Sequence, residues 1–221
     1  MIKVENIDVC GFEHALRGMR NPMNSWDKSD SHMELVLRHD EEHAKVECVM
    51  GENDLDLAQR LFKAGVEHRT YLRMIQLSMD ITAPLYWWKE MDRYTVGKTQ
   101  VSCSTMHKIH SKEFELDDFS HEHLLHTGEG DNPIDMILYW LNYYRERYLE
   151  TKSKDYWWQL IQLLPTSYNQ RRTICMSYET VFKIIKERTG HKLDEWCEFC
   201  EILKDLPYVR EIGGMYEDIT E

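Results

Sequence analysis

Apolar and polar residues alternate most regularly over 75–82. Ile75, Leu77, Met79 and Ile81 take every second position, between Gln76, Ser78, Asp80 and Thr82. A period of two with one apolar side predicts a half-buried strand. Ala83-Pro84 ends it. Pro84 suits the start of a following helix, where a missing N–H costs nothing, so a helix is predicted over 85–94. Upstream, Ile2, Val4 and Ile7 predict an opening strand within 1–9, 11–20 reads as a short helix, 21–31 as a loop and 33–37 as a strand. Asn53 and Asp54 look like the cap of a helix carrying Leu55, Leu57, Ala58, Leu61 and Phe62 and ending at Gly65. The stretch 96–109 is irregular, with Gly97 as a break, and 126–131 is a loop. Asn132-Pro133 caps a long helix over 134–152, and Pro165 stops a helix over 155–164. Thr189-Gly190 separates helices over 177–188 and 193–205. Helices dominate, the strands come early, and no repeat or linker divides the chain. The expectation is one α+β domain over 1–221, a small antiparallel sheet with flanking helices.

Charge narrows the partners. The 221 residues hold 27 Lys and Arg against 39 Asp and Glu, a net charge of −12. Such a chain is a poor binder of polymeric nucleic acid, although a local basic pocket is compatible with it. No apolar run reaches the ~20 residues of a membrane span. The first residues lack the basic-then-apolar layout of a secretion signal, so a cytoplasmic location is expected. Six cysteines scattered without a framework read as reduced thiols acting as small hydrophobes.

Three clusters invite a metal, and each has a plainer reading. His39-Asp40-Glu41-Glu42-His43 has two histidines at i and i+4, but the zincin pattern wants Glu directly after the first. Cys197 and Cys200 lack a second cysteine pair and lie among Trp196, Phe199, Ile202 and Leu203, as buried helix cysteines would. His121, His123 and His126 stand near Asp117 and Asp118 in a polar segment. No metal site is expected.

An ordered series of short segments carries more. His68 and Thr70 precede the alternating strand, which ends Ile81-Thr82-Ala83-Pro84-Leu85-Tyr86. A helix then leads to Arg93, and a polar run, Ser102-Cys103-Ser104-Thr105, follows. Leu164-Pro165, Arg171, Arg188 and Glu195-Trp196 come later. This order resembles the flavin-dependent thymidylate synthases across most of 50–205. There a His-x-Thr segment precedes a strand ending in Ala-Pro, an Arg-His-Arg signature and a Ser-rich run follow, and Leu-Pro…Arg and Leu-Arg…Gln-Trp-Glu segments close the series. This sequence departs from that pattern. Tyr94 and Thr95 replace the His-Arg of the signature, Gln100 and Val101 stand where Asn-Glu is expected, Cys103 replaces a Ser and Thr105 an Arg. Residues 107–131 have no counterpart and read as a divergent insertion.

The resemblance implies transfer of a one-carbon unit to C5 of dUMP or a related pyrimidine nucleotide. It implies FAD, a reduced folate as donor, a nicotinamide reductant and a homotetramer with Trp140, Tyr143 and Tyr144 at interfaces. In such enzymes the cofactor carries the chemistry and the protein binds and orients. Arg171 and Arg188 are expected to hold the nucleotide, because guanidinium forks suit phosphate and uracil carbonyls. Glu90, Ser102, Cys103 and Ser104 complete the substrate side, and His68, Thr70, Arg93 and Tyr94 the flavin side. Cys103 is either a pocket wall or a nucleophile toward C6 of the base. The departures leave a second reading, an inactive nucleotide-binding or structural homologue. For Arg171 and Arg188 the plain alternative is a surface ion pair.

Overall fold

A computed structural model describes residues 2–37, 44–124 and 133–215. Six strands are present among them: β1 (Lys3–Cys10), β2 (His32–Val36), β3 (Lys45–Val49), β4 (Gln76–Pro84), β5 (Lys98–Ser102) and β6 (Asn169–Ser177). The helices are α1 (Phe12–Arg20), α2 (Glu52–Ala64), α3 (Leu85–Met91), α4 (Pro133–Thr151), α5 (Lys154–Leu163), α6 (Tyr178–Arg188), α7 (Asp194–Lys204) and α8 (Val209–Gly213). Four strands form one sheet in the order β1-β4-β6-β5, and β2 pairs antiparallel with β3. The fold is α+β, a small antiparallel sheet with flanking helices.

The chain divides into two compact units. The first takes in Met1–Glu5, Asp80–Tyr94 and Gln100–Ile174, and the second Asn6–Met79, Thr95–Thr99 and Cys175–Glu221. In the first, Ile109, Phe114, Phe119, Ile134, Leu141 and Leu160 form a buried cluster. The segment read as an insertion therefore supplies core, not ornament: Ile109, Phe114 and Phe119 all lie within it. In the second unit Phe12 sits edge-on to Tyr178 and Tyr208, with centroids 5.7 Å away in both cases. The Tyr178 hydroxyl donates to the carbonyl of Pro207 at 2.9 Å, so a buried phenol is satisfied.

The alternation in β4 is borne out. Leu77, Met79, Ile81 and Ala83 are buried, while Ser78, Asp80 and Thr82 are half-exposed. Several boundaries differ from expectation. α2 starts at Glu52 with Gly51 at its N-cap, so Asn53 and Asp54 are inside the first turn and not its cap. The orphan N–H groups of Asn53 and Asp54 are taken by the Asp30 carboxylate, at 2.9 and 3.1 Å, from outside the helix. Asp54 is thereby released to a buried pair with Arg20, described below. α3 ends at Met91, three residues early. β3, β5, β6 and α8 were not foreseen. β6 begins Asn-Gln-Arg-Arg-Thr, which hides its alternation behind polar side chains. β5 follows Gly97, whose φ of +68° favours glycine. A Cβ there would lie 2.8 Å from Ser177 Oγ and 3.0 Å from Thr180 Oγ1, so the close approach demands glycine as well.

Candidate functional site

The polar side of the first unit's sheet residues is built by alternation. Asp80 projects from β4, and Arg171 and Thr173 project from β6 two residues apart. The Asp80 carboxylate accepts from Arg171 Nη2 at 2.8 Å and from the Thr173 hydroxyl at 2.5 Å. Glu5 of β1 adds a second acid, 3.6 Å from Arg171 Nη1. Asp80, hydrogen-bonded to the guanidinium, pushes its pKa further up, and the charge of Glu5 adds to that. Arg171 nonetheless remains 46% exposed at its side chain. The ion pair anticipated as the plain alternative exists, and it holds the fork without covering it.

Cys103 is beside it. Its N–H donates to the Arg171 carbonyl at 3.0 Å, and its own carbonyl accepts from Gln170 Nε2 at 2.7 Å. The residue is exposed, directly after β5 and Ser102. Ser104 turns inward on its own loop, its hydroxyl accepting the N–H groups of Met106 at 3.2 Å and His107 at 2.9 Å. Burial, with the negative charge of Asp118 adding to it, pushes the Tyr168 phenol up to about 12.

The even positions of β6 face the other way. Arg172 stacks on Trp88 at 4.2 Å, donates from Nε to Gln170 Oε1 at 2.9 Å, and donates from Nη1 to Asp92 Oδ1 at 2.7 Å. Gln100 donates to the same Asp92 oxygen at 2.7 Å, and Trp88 Nε1 donates to the Gln170 carbonyl at 2.9 Å. A chain of polar contacts thus runs Gln100–Asp92–Arg172–Gln170 and ends on the Cys103 carbonyl. It is this network that fixes the turn bearing Cys103. None of Asp80, Asp92, Gln170, Thr173 or Glu5 was expected at the site. The alternation of β4 already placed Asp80 on the polar side, but nothing in the sequence paired it with Arg171.

The other expected residues are distributed as follows. Glu90, Arg93 and Tyr94 belong to the first unit, with Cys103 and Arg171. Glu90 is half-buried on α3, Arg93 is exposed just past its end, and the Tyr94 ring is 4% exposed, within the core. His68, Thr70 and Arg188 belong to the second unit. His68 and Thr70 are exposed on two short 3-10 turns, and the Thr70 hydroxyl donates to the Glu67 carbonyl at 3.3 Å. Arg188 covers the Trp196 ring at 4.6 Å, with Nη1 3.2 Å from His191 Nε2. Trp87 and Trp88 are fully buried, as helix packing would have them.

Of the metal clusters, 39–43 and His126 lie outside the described residues. Among the described residues no group of three His, Cys, Asp or Glu could hold a metal ion. Cys200 is buried, and burial pushes its thiol up to about 11. No helix among the described residues is long and apolar enough to cross a membrane.

Solved structures share this architecture along its whole length. The flavin-dependent thymidylate synthase ThyX of Helicobacter pylori, complexed with FAD and dUMP, is 16% identical, with 97% of this chain and 100% of that chain covered and a TM-score of 0.67. Another structure of the H. pylori enzyme with FAD and dUMP is also 16% identical, with 96% of each chain covered and a TM-score of 0.64. The fold is that of a flavin-dependent thymidylate synthase. No protein-family model and no curated protein matches the chain. The likeness therefore rests on shape, which survives substitution of most side chains so long as pattern and volume are kept.

Proposed function

We propose that this chain is a flavin- and folate-dependent enzyme of the thymidylate synthase type, adding a one-carbon unit to C5 of dUMP or a related pyrimidine nucleotide. The observation that carries the reading is the end-to-end likeness of fold to an enzyme solved with FAD and dUMP. The donor set suits an anionic, carbonyl-bearing ligand. Arg171 keeps an exposed edge of its fork while Asp80 fixes its orientation, which is how a guanidinium is pre-organised for oxyanions. In this reading Arg171 and Arg188 hold the nucleotide. Their charge stabilises the electron-rich base as the bond to C5 forms. Glu90, Ser102 and Ser104 line the substrate side with Cys103, which serves as wall or as nucleophile toward C6. Arg93, His68, Thr70 and Tyr94 serve the flavin. When bound, FAD supplies the hydride, recharged by a nicotinamide reductant, and the folate supplies the carbon. A cytoplasmic homotetramer belongs to the same reading. Trp140 and Tyr143 of α4, 40% and 38% exposed, are the surface it would use, with Tyr144 beside them.

The second reading, an inactive nucleotide-binding or structural homologue, draws on Tyr94. It replaces a polar signature residue, and its ring is buried in the core. Two measurements separate the readings. A flavin spectrum that shifts on adding dUMP, with tritium released from [5-³H]dUMP, is the outcome for the enzyme. Nucleotide binding without tritium release is the outcome for a nucleotide-binding homologue, and a chain that takes up neither FAD nor dUMP leaves only the structural homologue.

A further inference from the structure

A cavity of about 530 Å³ lies within the second unit, among α6, α7 and α8. Its floor is apolar: Ile185 of α6, 3% exposed, and Met215 beyond α8. Around that floor stand Lys186 of α6, Lys204 of α7 and Arg210 of α8, against Glu201 as the lining carboxylate. Glu201 sits between two of the cations, 2.6 Å from Lys204 Nζ and 3.7 Å from Arg210 Nη2. Asp205 accepts from the same Nη2 of Arg210 at 2.7 Å and from its Nε at 3.2 Å. The acids therefore orient the two cations.

A lysine in the last turn of a helix is ordinary, because it complements the helix dipole, and that accounts for Lys186 or Lys204 taken singly. It does not account for a third cation arriving from a third helix, nor for an apolar floor beneath all three. In a chain of net charge −12 such convergence is a local reversal of sign. The volume falls within the roughly 300–1,000 Å³ of small-molecule sites, which combine apolar lining with a few polar groups that fix orientation.

We infer that this cavity binds a small amphipathic organic anion. Its carboxylate, phosphate or sulfonate group lies against Lys186, Lys204 and Arg210, and its apolar body covers Ile185 and Met215. The inference is independent of the proposed reaction, because it uses none of the residues assigned to it.

The test is a fluorescence titration of the full chain with 8-anilinonaphthalene-1-sulfonate and with N-phenyl-1-naphthylamine, which has the same aromatic body and no charge. One saturable site for the sulfonate is expected, with the neutral compound at least roughly tenfold weaker, as loss of charge-assisted hydrogen bonds implies. Lys186→Glu is the primary variant, since that side chain is exposed and the fold does not depend on it. Lys204→Met is the second. Each is expected to weaken the sulfonate by roughly tenfold and leave the neutral compound unaffected. Equal binding of the two compounds, unchanged binding in both variants, or displacement of the sulfonate by dUMP or FAD would overturn the assignment. A failure of dUMP binding or tritium release leaves it standing.

Discussion

Two arginine–aspartate pairs in this molecule stand in opposite surroundings. Arg20 and Asp54, in the second unit, meet at 2.5 Å with side chains 4% and 0% exposed. Arg171 and Asp80, in the first, meet at 2.8 Å with side chains 46% and 16% exposed. The buried aspartate is saturated. It accepts from Arg20 Nε, from the hydroxyls of Ser29 and Ser31 at 2.7 Å each, and from the N–H groups of Asp30 and Ser31. Burial alone would raise its pKa, but the hydrogen bonds from Ser31, Ser29 and Arg20, with the charge of Arg20, bring it below the ordinary value. Such a pair serves the fold: the acid's oxygens are fully used, which offsets much of the cost of taking two charges out of water, although Arg20 Nη2 is buried without a hydrogen-bond partner among the described residues. The exposed pair contributes little to stability, because water screens it. What it provides is an oriented cation that a ligand can still reach. The type of contact is the same, and its surroundings decide whether it is locked in the core or left open to solvent.

The largest effect expected on this contrast comes from Arg20→Met. It leaves Asp54 charged and buried without its partner and should cost about 3–5 kcal/mol in denaturant unfolding. A loss under about 1 kcal/mol would class the pair with surface ones. Acid gives a related test. Because the native pKa of Asp54 lies below its unfolded value, its contribution is complete above about pH 4 and disappears as pH falls through the native value. The stability gap between the parent and Asp54→Asn should therefore narrow below about pH 4, and a gap that widens there contradicts the assignment.

Arg172→Leu comes next. It removes a stacked cation and two side-chain hydrogen bonds from a position 11% exposed. A cost of about 1–3 kcal/mol is expected, with faster alkylation of Cys103 as its turn loosens. Unchanged alkylation would show that the Gln170 contact alone holds the turn. Arg171→Met should leave the thermal midpoint where it was and weaken dUMP binding by roughly tenfold or more. The reverse, a lower midpoint with intact binding, would make Arg171 a structural residue. The smallest effect is kinetic. Ellman's reagent should reach Cys103 and Cys10 in the native chain and Cys200 only on unfolding, because burial has pushed the Cys200 thiol up to about 11.

Legibility followed periodicity. β4 and α4 to α7 were visible because their apolar residues recur with a single clear period, and Pro84, Asn132-Pro133, Pro165 and Thr189-Gly190 mark their ends. β6 was not, since its first five residues are polar and its alternation sorts one arginine to each side of the sheet. The site suffered most from this. Arg171 and Cys103 were named by their place in an ordered series of segments, but their adjacency depends on β6 pairing with β5, strands far apart in the chain. The Gln170 and Asp92 contacts depend on the same pairing.

By itself, then, the sequence determined the α+β class, most helices, the half-buried strand and a short set of candidate residues. The first three follow from local periods and from residue types whose backbone preferences act over a few positions, and the candidate residues from the resemblance of an ordered series of segments to a known family. The tertiary structure alone decided that Asp54 serves Arg20 rather than capping a helix, that Arg172 is enclosed while Arg171 stays open, and that three cations from three helices surround one apolar floor. Each is a matter of what surrounds a charge, and that is set by long-range packing rather than by neighbours in the chain.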